Sequence, residues 1–259
     1  MVRFYTFDSH SGLRLDTPCN DTARLSATLE FFGELTEEIS MQKNGRLPET
    51  AVSRGKIAPV KFAHVVLRTG RYEKMINWYE TVLEAQAMYA NDFVTFLTYD
   101  DEHHRIAIAK APALLPKLRT QSGVDHMAFT YATLGDLLAT YERIRALDIH
   151  PYWCIIHGGT TSMYYKDPDD NHVELQIDNF STLEEMNAFL DGPQFSENPI
   201  GEDFDPHEMV ARFNAGVSPN ELVKLRETGP RGPETIPISN LGLIQGTLIR
   251  IAAKLGFLP

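Results

Sequence analysis

Two short runs, KFAHVVL and GVDHMAF, read alike: each places a histidine, His64 or His126, just ahead of an apolar pair. A third run, HVELQID, carries Glu174 in its middle. If it is a strand, its side chains alternate between faces. Val173, Leu175 and Ile177 then suit a packed helix layer, and His172, Glu174 and Gln176 point the other way. A carboxylate in the middle of a buried strand needs a compensating partner, and a metal ion would serve. Two imidazoles and one carboxylate, with other positions left open, form the donor set of non-haem Fe(II) oxygenases; the same donors suit Mn(II) or Zn(II). One such histidine alone is more often a satisfied strand residue, and one such glutamate a surface residue. Three of them at matching places in a repeated pattern make metal binding by His64, His126 and Glu174 the expectation.

The elements that must position these residues form an internal repeat. Lys61–Leu67 is β-prone and leads into RTGRYEKMINWYETVL, where Tyr72, Met75, Ile76, Tyr79 and Leu83 share one helical face. Strand-like runs follow at Phe93–Thr98 and Arg105–Lys110. The pattern then restarts with a strand at Val124–Thr130 and a helix over LGDLLATYERIRAL. Strands at Pro151–Ile156, Ser162–Tyr165 and His172–Ile177 complete it. The fold class expected is α+β, built from two βαβββ modules, 61–110 and 123–178, within a domain over 61–178. Residues 1–60 form an N-terminal extension, with helical spacing from Leu25 to Ile39 and a Gly-, Pro- and Ser-bearing connector at 44–60. Residues 179–259 form a C-terminal helical extension, with helices expected at Leu183–Leu190, Glu208–Phe213 and the apolar stretch Leu241–Leu258.

Composition excludes several classes. The 259 residues carry a net charge of −11, from 24 basic and 35 acidic side chains, which repels phosphate backbones and acidic lipid. No nucleic acid or membrane partner is expected. The N-terminus shows no apolar signal segment, and no apolar run is long enough to span a bilayer. The two cysteines, Cys19 and Cys154, have no metal-type spacing, so a reducing cytoplasmic setting is the default. No phosphate-binding glycine pattern and no nucleophile elbow occur. His10, His150 and His207 lack companions and read as surface residues. The Asp167–Asp170 run reads as a solvated hairpin turn rather than a calcium loop. The apolar C-terminal stretch is expected to pack on the core or on a second copy, making a homo-oligomer.

Three further segments sharpen the reading: EHHRIAIA, IIHGGTTSMYY and SMYYKDPDDNHVELQ. With the two histidine runs they make residues 61–178 resemble the vicinal oxygen chelate superfamily, and within it the type I extradiol ring-cleaving dioxygenases. The family's metal ligands fall on His64, His126 and Glu174. The family usually has Gly where Asp170 stands, a departure that Asp tolerates in a turn. The resemblance implies a cupped mixed sheet around Fe(II), with Mn(II) or another divalent metal as the alternative. It also implies a small aromatic diol and O2 as substrates, and a place in aromatic hydrocarbon catabolism. It puts proton transfer and stabilisation of reduced oxygen on His104, with His103 facing away. His157 and Tyr164 hydrogen-bond the substrate oxygens, with Tyr165 pointing to the opposite side.

Other enzymes of this superfamily are the competing expectations. A glyoxalase-like isomerase takes a carboxylate from both modules, and Ile106–Ala109 offers none. A thiol transferase of the fosfomycin-resistance kind shares the ligand set but is a shorter chain with no need of His104 and His157. A binding protein of this fold lacks the ligands altogether.

Overall fold

The computed structural model describes residues 58–114, 117, 122–226, 229–237 and 243–256, together with two short strands near the N-terminus. The expected helix at Leu25–Ile39, most of the 44–60 connector, and Cys19 and His10 lie outside the described residues. The chain divides into two compact units, Met1–Phe62 and Ala63–Pro259. In the first, β1 (Tyr5–Thr6) pairs antiparallel with β2 (Arg14–Leu15).

The second unit contains the duplication. Its first module runs β3 (Val65–Thr69), α1 (Tyr72–Leu83), β4 (Gln86–Ala90), β5 (Val94–Thr98) and β6 (Ile106–Lys110). Its second runs β7 (His126–Thr130), α2 (Leu134–Arg145), β8 (Trp153–Ile156), β9 (Thr160–Lys166) and β10 (His172–Asp178). In each, the opening strand lies parallel to the closing strand, and the other pairs are antiparallel. The order is β3-β6-β5-β4 in one sheet and β7-β10-β9-β8 in the other, where β11 (Glu202–Asp203) adds a fifth strand beside β8. The modules thus form two mixed sheets, and among the described residues no ladder joins β3 to β7.

Alternation explains the layers. On β10, Val173, Leu175 and Ile177 enter the core; on β9, Met163 and Tyr165 do. They meet Leu134, Leu137, Leu138, Tyr141 and Ile144 of α2. Each aliphatic side chain so buried contributes roughly 1.5–3 kcal/mol. In the first module Met75, Ile76, Tyr79, Val82 and Leu83 of α1 cover Leu97, Ile106 and Ile108. Both helices contribute to one continuous core.

Polar contacts tie the modules together. Glu84 ends α1 in the left-handed region, at φ 51°. The Arg143 guanidinium, from α2, donates to the Thr81 and Val82 carbonyls of α1's last turn, which have no intrahelical partner. Tyr79 of α1 donates to Asp167 in the β9–β10 turn at 3.1 Å. Asp167 is 4% exposed and also accepts from the Asp169 and Asn171 amides and the Asn171 side chain. The turn is therefore not the solvated loop expected from its composition: its first carboxylate is a buried hub. Asp170 stands at φ 64°, in the left-handed region that favours glycine, which is where the sequence departs from the family's usual Gly.

Beyond β10 the chain forms α3 (Leu183–Leu190), α4 (Pro193–Glu197), α5 (Pro206–Asn214), α6 (Pro219–Leu222), a 3-10 turn at Pro233–Thr235 and α7 (Leu243–Lys254). Thr182 and Glu185 form a reciprocal capping box on α3, and Asp205 caps α5. No helix among the described residues is long and apolar enough to cross a membrane.

Candidate metal centre and active site

The faces of the sheets turned away from the helices carry the candidate residues. Register does the positioning. His126 pairs with His172, and Ala128, Glu174, Tyr164 and Trp153 form one row across β7, β10, β9 and β8. Glu174 is 4% exposed. His126 Nε2 lies 3.0 Å from Glu174 Oε2, and His126 Nδ1 lies 2.8 Å from Asp125 Oδ2. The Glu174 hydrogen bond, with help from Asp125, raises the His126 pKa to about 9 despite partial burial. Burial pushes the Glu174 carboxyl up, but hydrogen bonds from His126, Ser162 and Tyr164 outweigh it and the net shift is downward. Carboxylate and imidazolium form a charge-assisted pair.

That separation also suits a metal. Two donors at right angles, each about 2.1 Å from one ion, stand roughly 3 Å apart. A buried carboxylate beside an imidazole whose other nitrogen is held by a second carboxylate is a metal-type donor arrangement. The third expected donor is placed differently. His64 is exposed, just before β3, with its ring 4.3 Å from that of His104. Among the described residues no three His, Cys, Asp or Glu side chains gather where they could hold one ion. The structure brings His126 and Glu174 together and leaves His64 with His104 on the first module.

His157 and Tyr164 meet. Tyr164 Oη lies 3.1 Å from His157 Nε2, and His157 Nδ1 lies 2.6 Å from the Ile200 carbonyl. A carbonyl only accepts, so Nδ1 carries the hydrogen and Nε2 is the acceptor. Burial lowers the His157 pKa, which keeps the ring neutral. Burial and the Glu174 charge raise the Tyr164 pKa, which keeps the phenol protonated. Its single proton has two acceptors, His157 Nε2 and Glu174. Tyr165, the neighbour, is fully buried in the helix-side core.

His104 and His103 differ from expectation. Residues 101–104 form a bend ahead of β6, not a continuation of it, so strand alternation does not separate them. Their rings lie 4.4 Å apart with the Nδ1 atoms at 2.5 Å, on one side of the bend. His104 stacks on Phe96 at 4.4 Å, while the His103 side chain is 67% exposed. Burial, then the nearby His64 and His103, lower the His104 pKa, so this ring is a neutral base. His150 and His207 are exposed, as expected of lone histidines, though His207 Nε2 lies 3.1 Å from Tyr141 Oη. Cys154 is buried in the core, where desolvation pushes its thiol up to about 12, so it is no nucleophile.

Sequence reasoning missed four contributors. Asp125 was detectable, since it directly precedes His126. The Ile200 carbonyl carries no side-chain signal at all. Ser162 and Trp153 become visible only once β9 and β8 are set in register with Glu174.

The chain is similar to proteins of one superfamily. Residues 61–175 match the family model described as the glyoxalase/bleomycin resistance protein/dioxygenase superfamily. The chain is 50% identical over 161 residues to biphenyl-2,3-diol 1,2-dioxygenase 2 of Rhodococcus globerulus, covering 62% of this chain and 85% of that protein. It is 43% identical over 164 residues to biphenyl-2,3-diol 1,2-dioxygenase 3 of the same organism, covering 62% and 86%. Among solved structures, a fosfomycin resistance protein from Listeria monocytogenes aligns at 22% identity and a TM-score of 0.38, over 50% of this chain and 98% of that one. In the two relatives' names the bond opened, 1,2, lies outside the 2,3-diol, which is the meaning of extradiol. The chain belongs to the glyoxalase/bleomycin resistance protein/dioxygenase superfamily and, within it, to the extradiol dioxygenases.

Proposed function

We propose that this chain is an Fe(II)-dependent enzyme that opens the ring of a catechol-type diol with O2, with biphenyl-2,3-diol as the first substrate to try. The observation that carries the reading is the buried Glu174 carboxylate, 3.0 Å from His126 and within the same polar row as Tyr164. His126 and Glu174 would hold the ion, and His64 would supply the third donor from the first module. When bound, Fe(II) acidifies the diol and brings diol and O2 together, chemistry that no side chain supplies.

The chain's own residues then handle protons and charge. Neutral His157 is held by Ile200 so that Nε2 faces the Tyr164 hydroxyl. This pair can take or return a proton at a diol oxygen and stabilise charge there. His104, neutral, stacked on Phe96 and with the His64 ring tilted 4.3 Å away, can accept a proton on the oxygen side. Both oxygen atoms of O2 enter the product as the carbon–carbon bond beside the diol breaks. Aromatic hydrocarbon catabolism is the setting this chemistry serves.

The test is anaerobic reconstitution with Fe(II), followed by O2 uptake with catechol and with biphenyl-2,3-diol. Stoichiometric uptake with a coloured ring-opened product is expected. A purified chain that binds no iron and consumes no O2 overturns the reading and favours a binding protein.

Assembly belongs to the same proposal. On α7, Leu248 and Ile251 are 61% and 48% exposed within one chain, and Leu255, just after it, is 65% exposed. The expected burial of this stretch is therefore left to a second copy. Light scattering is expected to show a homo-oligomer, and a monomer would refute it.

A further inference from the structure

We propose that Trp153 is a specificity-determining wall that packs against an apolar substituent on the diol's ring, and that Asp203 and Arg231 are positioning residues that hold the indole in place. This rests on the ring-cleavage reading.

Trp153 is the last member of the row Ala128, Glu174, Tyr164, Trp153. Strands in a sheet are about 4.8 Å apart, so its backbone lies roughly 9.6 Å from that of Glu174. That is too far for a contact with diol oxygens bound at Glu174, and it matches a group carried on the ring. The indole stacks on Tyr164, with centroids 5.1 Å apart and planes at 26°. Its edge-on contact with His157 is at 5.7 Å. It therefore borders both residues assigned to the diol oxygens, while presenting apolar surface. Trp153 is only partly buried, so the indole is not sealed in the core.

The indole is anchored through its N–H to a charged pair. Here the indole Nε1 donates to Asp203 Oδ1 at 2.7 Å. The other Asp203 oxygen accepts from Arg231 Nη2 at 2.8 Å, and Arg231 Nη1 donates to the Gly201 carbonyl at 2.9 Å. The Arg231 side chain is only 14% exposed. Thus β11 and the segment before the 3-10 turn, both outside the duplicated modules, fix the plane of an aromatic ring inside the site row. An aromatic or alkyl substituent is the class of group that such a plane recognises.

The experiment compares catechol with biphenyl-2,3-diol in the iron-loaded chain and in Trp153→Ala, Trp153→Phe, Asp203→Ala and Asp203→Asn. Trp153→Ala is expected to lower kcat/KM for biphenyl-2,3-diol about tenfold, mainly through KM, and to cost catechol several-fold less, the loss of packing on Tyr164 being shared by both diols. Asp203→Ala should lose about threefold on biphenyl-2,3-diol alone. Asp203→Asn, which keeps an acceptor for the indole, should restore most of it. A second readout is anaerobic quenching of tryptophan fluorescence by biphenyl-2,3-diol. The chain has two tryptophans, and the other, Trp78, is buried on α1, so the quench should vanish in Trp153→Phe. Should Trp153→Ala fail to fold, the Asp203 pair and the quench decide. Equal losses on both diols, or none on either, overturn the assignment and leave the ring-cleavage reading standing. A wild-type chain that cleaves neither diol overturns both.

Discussion

Across the first module the strand row runs Val66, Ala107, Phe96, Tyr89; across the second the matching row runs Ala128, Glu174, Tyr164, Trp153. The backbone path is the same, and each row lies two residues beyond a histidine, His64 or His126. Yet the first row carries no charged group, its one side-chain polar atom being the Tyr89 hydroxyl on the edge strand, and the other holds a buried carboxylate, a phenol beside it and an anchored indole. An aromatic contact persists in both, Tyr89 with Phe96 at 5.7 Å and Trp153 with Tyr164 at 5.1 Å, while the carboxylate, and a hydroxyl next to it in the row, are on one side only. Duplication thus provides two equivalent platforms, and chemistry needs only one of them to carry the charge. A second buried carboxylate at Ala107 would add desolvation cost with no partner in the row. The first module contributes instead through its bend, where His104 lies on Phe96 beside His64.

The largest expected effect breaks the charged row. Glu174→Ala should reduce turnover and bound iron to background while the fold persists, because Val173 and Leu175 on the other face hold β10 in the core. Iron analysis with circular dichroism checks this, and full activity with full iron would remove Glu174 from the ligand set.

Next comes the contribution of the first module. His104→Ala should cost about a hundredfold in turnover while keeping iron and diol affinity. His103→Ala should cost only a few-fold, since that ring is mostly in water, although its contact with His104 makes some loss expected. Steady-state O2 uptake beside anaerobic diol titration separates the two. Loss of iron in His104→Ala would mean that the two modules share the metal differently from the arrangement proposed.

Tyr164→Phe converts the second row toward the first, where Phe96 occupies the matching place. Turnover should fall about tenfold with iron retained, the scale of one hydrogen bond to a charged or reacting group. An unchanged rate would show that the Tyr164 hydroxyl is structural.

The ion pair gives a pH signature in the iron-free chain. His126 is raised from 6.5 to about 9, so its stabilising contribution is complete below 6.5 and fades as pH rises through about 9. The lowered Glu174 carboxyl contributes above its ordinary range and loses that contribution as pH falls through its depressed value. Stability measured by denaturant should therefore decline from near-neutral pH toward pH 9, and Glu174→Gln should flatten the decline. A wild-type curve with no such slope would deny the pair.

The smallest effect concerns the tie between modules. Tyr79→Phe removes the hydrogen bond to Asp167 and should cost about 1 kcal/mol, with little change in turnover. Asp167 keeps its turn contacts from Asp169 and Asn171, which limits the loss.

Much of this architecture was legible before any coordinates. A histidine ahead of an apolar pair, then a helical face, then alternating strands, occurs twice, and periodicity is a local property of the chain. The helices at Tyr72–Leu83 and Leu183–Leu190 fall where spacing puts them. Strand β4 was not legible: QAMYA is exposed throughout, holds an edge, and lacks the alternation that marks a half-buried strand. Strand β11 is two residues, Glu202 and Asp203, with no strand pattern.

The sequence by itself determined the residue types at issue: two strand histidines in a repeat, one carboxylate amid apolar neighbours, and the His and Tyr candidates around them. These follow from local pattern, because strand alternation decides which side chains share a face. Tertiary structure decided which of them touch. Parallel pairing of β7 with β10 sets His126 against Glu174, and the bend at 101–104 turns His103 and His104 to one side. A backbone carbonyl from Ile200, 43 residues downstream, orients His157. Such contacts depend on register and chain path over long separations, and no short stretch of sequence encodes them.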